Sequence, residues 1–135
     1  MSVFVVDTSA MVAIVAAEPG GEWLAGELAE ASERIIAAPV AVELGIVLEA
    51  RTPAAAGVGR RLLRDAGVRV VPFDEHLAER AIDAWRRFGK GRHQAALNFG
   101  DCCVYALAEE TGYPILCTGD DFALTDLPVH RPPSA

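Results

Sequence analysis

Five acidic residues stand where a carboxylate is awkward. Asp7 ends the apolar run "VFVV", and Glu43 sits in "APVAVELGIVLEA", where its helical neighbours at three and four residues are Pro39, Val40, Ile46 and Val47. Asp101 opens "DCCVYALA" and shares a helical face with Leu97, Val104 and Tyr105, while Asp120 and Asp121 follow the apolar "PILCT". An unpaired carboxylate is costly to bury, so each must be protonated, paired with a base or bound to a cation. Carboxylates gathered in one pocket repel one another, and a divalent cation removes that repulsion. Oxygen-only ligands select Mg2+ or Mn2+ over zinc, and Mg2+ keeps several waters while binding substrate phosphates. The chemistry indicated is metal-assisted phosphodiester hydrolysis. Asp101 has a second explanation, since an acid in the first turn of a helix meets the helix dipole favourably.

Such a pocket needs elements that bring distant residues together. Val3 to Val6 has strand length, and Thr8 or Ser9 can cap a helix over "AMVAIVAA" that Pro19, Gly20 and Gly21 stop. A second helix fits Glu22 to Ala31, "RIIAA" is a short strand, and Pro39 starts a third helix reaching about Glu49. A fourth begins at Pro53 and ends at Gly67; "VRVVPF" alternates as a strand, and Asp74 caps "EHLAERAIDAWRRF". After the loop Gly89 to Leu97 comes the helix of Asp101, stopped by Gly112 and Pro114, then the strand "PILCT". Strands alternating with helices predict an α/β fold, a three-layer α/β/α sandwich around a mainly parallel sheet. Ligands of such sheets gather at the carboxyl ends of the strands, which predicts Asp7 and the "TGDD" acids on one rim.

The 135 residues suit one domain, residues 1–135, with no linker or repeat. The apolar runs Ala10–Ala17 and Ile35–Val42 are too short to span a bilayer, and no secretion signal opens the chain, so a cytoplasmic location is expected. Cys102, Cys103 and Cys117 are an odd number without CxxC spacing and read as reduced core residues. Trp23 and Trp85 read as core, with stacking on a base as the alternative. The net charge of −7 opposes unspecific adhesion to a polyanion without excluding a local basic site. Arg60, Arg61 and Arg64 read as a solvated helix face. In "WRRFGKGRH", two glycines leave backbone and the cations Arg87, Lys90, Arg92 and His93 free to meet a phosphate.

Other chemistries fit less well. The chain lacks GxSxG, GxxxxGK[ST] and GxGxxG motifs, and His76, His93 and His130 form no HExxH pattern. A phosphatase with an aspartate nucleophile would want a second Asp where Ser9 stands. A phospho-receiver, the non-enzymatic rival, would want a lysine late in the sheet, whereas the sole lysine, Lys90, precedes a helix.

Taken together, "VVDTSAMVAI", the helical Glu43, "FGKGRHQAALNFGDCCVYALA" and "ILCTGDDFALTDL" resemble the PIN domain, and within it the VapC toxins of bacterial toxin–antitoxin pairs. The resemblance spans nearly the whole chain in order and spacing. It implies a Mg2+-dependent endoribonuclease, with Mn2+ as a substitute, aimed at structured RNA such as tRNA. It also implies inhibition by a VapB-type antitoxin in a hetero-oligomer, and a homodimer of the toxin. Surfaces from "GIVLEA" and "AIDAW" are compatible with that dimer but read more simply as core. Carried over, Asp7 and Asp101 are the principal metal ligands and Glu43 the third acid, with Asp120 or Asp121 as the fourth. Thr8 or Ser9 matches a hydroxyl that steadies the first acid. Asn98 either orients substrate or the Asp101 carboxylate, or caps its helix.

Overall fold

The computed structural model describes residues 2–52 and 54–133. Its elements run β1 (Val3–Val6), α1 (Thr8–Val15), α2 (Gly21–Glu30), β2 (Glu33–Ala37), α3 (Ala38–Arg51) and α4 (Val58–Asp65). They continue with β3 (Arg69–Val71), α5 (Glu75–Phe88), α6 (Phe99–Thr111), β4 (Ile115–Leu116), a 3-10 turn at Phe122–Leu124, and β5 (Val129–His130). All four strand pairings are parallel, in the order β3-β2-β1-β4-β5. Helices cover both faces, which gives the expected three-layer sandwich and explains why β1 is apolar along its length rather than alternating. Among the described residues, no helix is long and apolar enough to cross a membrane.

The chain moves from β1 outward through β2 to β3, then crosses back so that β4 joins the other side of β1. This reversal leaves a crevice at the carboxyl ends of β1 and β4, the usual ligand position in open α/β sheets. The backbone N–H of Asp7 donates to Leu116 O at 3.0 Å, which holds the two strand ends together there. Beneath lies a core in which Val5, Val6, Met11, Leu44, Tyr105 and Leu116 are fully buried.

Several local expectations need correction. Asp7, not Thr8 or Ser9, is the N-cap of α1, because its carboxylate accepts the Ser9 N–H at 3.0 Å. The helix expected from Pro53, a residue outside the described ones, starts at Val58, where Gly57 at φ +76° turns the chain into it. Gly59 then brings α4 against α3, since a Cβ there would stand 2.9 Å from the Gly45 Cα. The surfaces of "GIVLEA" and "AIDAW" are also less buried than expected, with Ile46 64%, Ile82 44% and Trp85 44% exposed. The inward stripe of α5 is Leu77, Ala84 and Phe88, and Trp85 lies one step around from it. Trp23 is half-buried against the core, and all three cysteines are buried and unbridged.

Candidate active site

The crevice is lined by Asp7, Glu43 and Asp101, together with Thr8, Ser9, Asn98, Arg51 and Thr118. Asp7 leaves β1 and is 6% exposed, the only buried charged residue among those described. Beside it, Ser9 Oγ accepts the Thr118 N–H at 3.1 Å, so the segment after β4 is tied to the start of α1. Glu43 comes from α3, where Thr8 Oγ1 donates to its Oε1 at 2.6 Å. Thr8 thus spends its hydroxyl on Glu43, while Ser9 meets Asp7 through its backbone N–H and keeps its hydroxyl on the Thr118 N–H.

Asp101 enters from the first turn of α6 through a reciprocal cap. Its N–H donates to Asn98 Oδ1 at 2.9 Å, and its Oδ2 accepts the Asn98 N–H at 3.1 Å. Capping α6 and holding the Asp101 carboxylate are thus one arrangement, because the cap is what fixes that carboxylate. Sequence reasoning missed Gly100. A Cβ there would stand 2.6 Å from Glu43 Oε2, so only glycine lets α6 come so close to that carboxylate. A glycine in the first turn of an otherwise regular helix is the signal that could have found it. We expect Gly100→Ala, which displaces Glu43, and Thr8→Val, which removes its hydrogen bond, each to lower RNA cleavage about tenfold or more while the protein stays folded. Initial rates beside melting curves check this; unchanged rates in both variants would remove Glu43 from the reaction.

Burial and mutual repulsion act on these acids in one direction. Burial pushes the Asp7 carboxyl up, against hydrogen bonds from Ser9, and the Glu43 charge adds to the rise. Burial likewise pushes Asp101 up to about 7, opposed by the Asn98 N–H and reinforced by the charges of Asp7, Asp121 and Glu43. Among the described residues no ion pair reaches Asp7, Glu43, Asp101 or Asp121. A desolvated all-oxygen donor set without a cationic partner fits Mg2+ or Mn2+. No three acidic, histidine or cysteine side chains among the described residues cluster closely enough to hold an ion unaided. That arrangement suits a metal that binds through one or two carboxylates and keeps its waters. The cysteines do not enter this chemistry, since burial pushes Cys102 and Cys103 up to about 11 and Cys117 up to about 12, leaving neutral thiols.

The two acids of "TGDD" part company. Asp121 lies near enough to raise Asp101, whereas Asp120 pairs with Arg131 at 2.6 Å with its side chain 89% exposed. The cations also separate. Arg87 lies near the end of α5, and its guanidinium is held by Asp126 at 2.8 Å and by the Tyr105 hydroxyl at 3.1 Å rather than free. His93 Nδ1 accepts the Ala95 N–H at 3.0 Å, and its ring meets Phe88 edge-on, so it organises the loop. Arg92 lies over the Trp85 ring at 4.6 Å, and Lys90 lines a groove beside it. Lys90 is thus outside the acidic crevice where a phospho-receiver would need it.

The family profile described as PIN domain matches residues 4–126. Ribonuclease VapC of Mycolicibacterium smegmatis is 44% identical over 124 residues, covering 91% of this chain and 96% of that protein. Ribonuclease VapC36 of Mycobacterium tuberculosis is 45% identical over 125 residues, covering 91% and 90%. The crystal structure of Mycobacterium tuberculosis VapC20, a sarcin-ricin loop cleaving toxin, superposes with a TM-score of 0.69 at 22% identity, covering 97% of this chain and all of that one. A toxin–antitoxin complex from Klebsiella pneumoniae gives a TM-score of 0.70 at 14% identity, covering 96% of this chain and 97% of that one. At those identities the two structures speak for the fold. By the profile and the close relatives, this chain belongs to the PIN-domain family and, within it, to the VapC ribonucleases.

Proposed function

We propose that this chain is an endoribonuclease toxin that uses Mg2+ to hydrolyse phosphodiester bonds in structured RNA, tRNA foremost, and is silenced by a VapB-type antitoxin. The observation that carries the reading is the pair Asp7 and Asp101, both desolvated in the crevice between β1 and β4 and each raised by burial, with no ion pair to either among the described residues. In this reading residues 1–135 form one PIN domain acting in the cytoplasm as a homodimer. Mn2+ substitutes for Mg2+.

Asp7 and Asp101 would hold the metal directly, with Glu43 as the third acid and Asp121 as the fourth. When bound, the metal supplies Lewis-acid polarisation of a phosphodiester oxygen and acidifies a nearby water. The chain's own residues do the rest. The Ser9 N–H fixes Asp7, the Asn98 cap fixes Asp101, and the Thr8 hydroxyl holds one oxygen of Glu43. The other Glu43 oxygen, or Asp121, accepts the proton of the water that attacks phosphorus. Lys90 and Arg92 attract the RNA backbone, which makes binding steeply dependent on salt. Arg87 contributes less to that grip while Asp126 holds it, and His93 shapes the loop. Specificity comes from bases exposed in loops, because A-form helices hide their edges in a deep, narrow major groove.

Purified protein incubated with total tRNA and rRNA in Mg2+, in Mn2+ and in EDTA tests the reading. Fragments are expected with either metal and none in EDTA. Asp121→Asn should reduce cleavage about tenfold, whereas Asp120→Asn, which only frees Arg131, should stay within about twofold of the parent. Cleavage that persists in EDTA would refute the metal mechanism, and reversed effects of the two variants would exchange the acids.

A further inference from the structure

Beside the acidic crevice lies an apolar groove of about 610 Å³ that the catalytic reading leaves unused. Asn98 lines both, so the two adjoin. Phe99 stands in this groove two residues before Asp101 on the same turn of α6, with 78% of its surface exposed. Trp85, 44% exposed, lines it too, with the Arg92 guanidinium over its ring. We propose that this groove receives one unstacked nucleobase of the RNA, from the nucleotide next to the scissile phosphate, with Phe99 and Trp85 as its stacking surfaces. The proposal rests on the ribonuclease reading and deepens it, by naming the residues that select a nucleotide.

Three observations favour a base over a protein segment. Flat aromatic faces beside a guanidinium plane are what unpaired bases stack on, and stacking tolerates any base because each has a π-face. The one charged residue lining the groove is Lys90, and no acid lines it. That local sign complements a phosphate backbone better than a basic peptide. Finally, the groove adjoins the acidic crevice, because Asn98 lines both and Phe99 stands two residues before Asp101. Asn98 Oδ1 is taken by the Asp101 N–H, which leaves the Nδ2 group to donate to that nucleotide.

The test compares the parent with Phe99→Ala, Phe99→Leu and Phe99→Tyr on the RNA hairpin that the parent cuts in Mg2+. Because Phe99 is so exposed, none of these changes leaves a cavity. KM should rise about tenfold for Ala and for Leu and return to within about twofold of the parent for Tyr, with kcat and Mg2+ dependence nearly constant. A merely structural role would not be rescued by tyrosine and refused by leucine. Parent-like KM values in the Ala and Leu variants would overturn the base subsite while leaving the ribonuclease intact. Variants that cleave normally yet escape the antitoxin would overturn it too, and give the groove to the protein partner. A folded, Mg2+-bound parent that cuts no RNA would instead defeat the ribonuclease reading, and the subsite with it.

Discussion

Asp101→Asn should abolish metal-dependent cleavage, by about a thousandfold, without loosening the fold. The loss corresponds to about 4 kcal/mol of transition-state stabilisation, the scale of a metal's Lewis-acid contribution once one of its two main carboxylates is gone. Metal-free stability should move the other way. In the parent, Asp101 is desolvated and faces the charges of Asp7, Asp121 and Glu43. Asparagine keeps an oxygen able to accept the Asn98 N–H, so the cap of α6 survives while the charge disappears. Melting in EDTA at pH 8 should therefore find D101N at least as stable as the parent. A variant that retained a tenth of the parent's activity would sink the assignment of Asp101. One that melted far below the parent would make its role mainly the cap.

Cleavage at subsaturating Mg2+ should fall by about a hundredfold between pH 7 and pH 5. Asp101 must lose its proton to bind metal and holds it up to about pH 7, so each unit below that removes about tenfold in apparent affinity. The raised Asp7 carboxyl makes the fall steeper. The sign for stability follows from the same shift. Between the ordinary carboxyl value of 3.8 and about 7, the folded metal-free protein keeps a proton that the unfolded chain has released. Proton uptake then favours the folded state at low pH, and stability in EDTA declines as pH rises through that window, with the full cost present above about 7. Mg2+ should reverse the decline above pH 7. Melting curves at pH 5 and pH 8, in EDTA and in Mg2+, check both signs. Equal metal affinity at both pH values would show that neither acid binds the ion.

Much of the site was legible because its signals are local. An acid directly after an apolar strand, and another at the head of an apolar helix, announce desolvation within a few residues of sequence. The Asn98 cap was legible for the same reason, being a matter of three-residue spacing. What escaped depends on partners far along the chain. Thr8 meets Glu43 across 35 positions, and Gly100 is required by a carboxylate on another helix. Arg87, expected to be free for phosphate, is claimed by Asp126 across 39 positions. Asp120 and Asp121 are chemically identical neighbours, distinguished by Arg131 at the first and by the nearness of Asp101 to the second. The exposure of Trp85 likewise follows from which side of α5 meets the core.

The sequence by itself determined the alternation of strand and helix, the parallel sandwich, and the acids that open into its crevice. Apolar periodicity, capping residues and the cost of burying charge all act over one or two turns of chain. Tertiary structure alone decided that the Thr8 hydroxyl meets Glu43, which aspartate of "TGDD" pairs with Arg131, and that Phe99 and Trp85 keep exposed surface beside the cleft. Those outcomes are set by the order β3-β2-β1-β4-β5, because strand order chooses which distant side chains become neighbours, and hydrogen bonds and ion pairs exist only between neighbours.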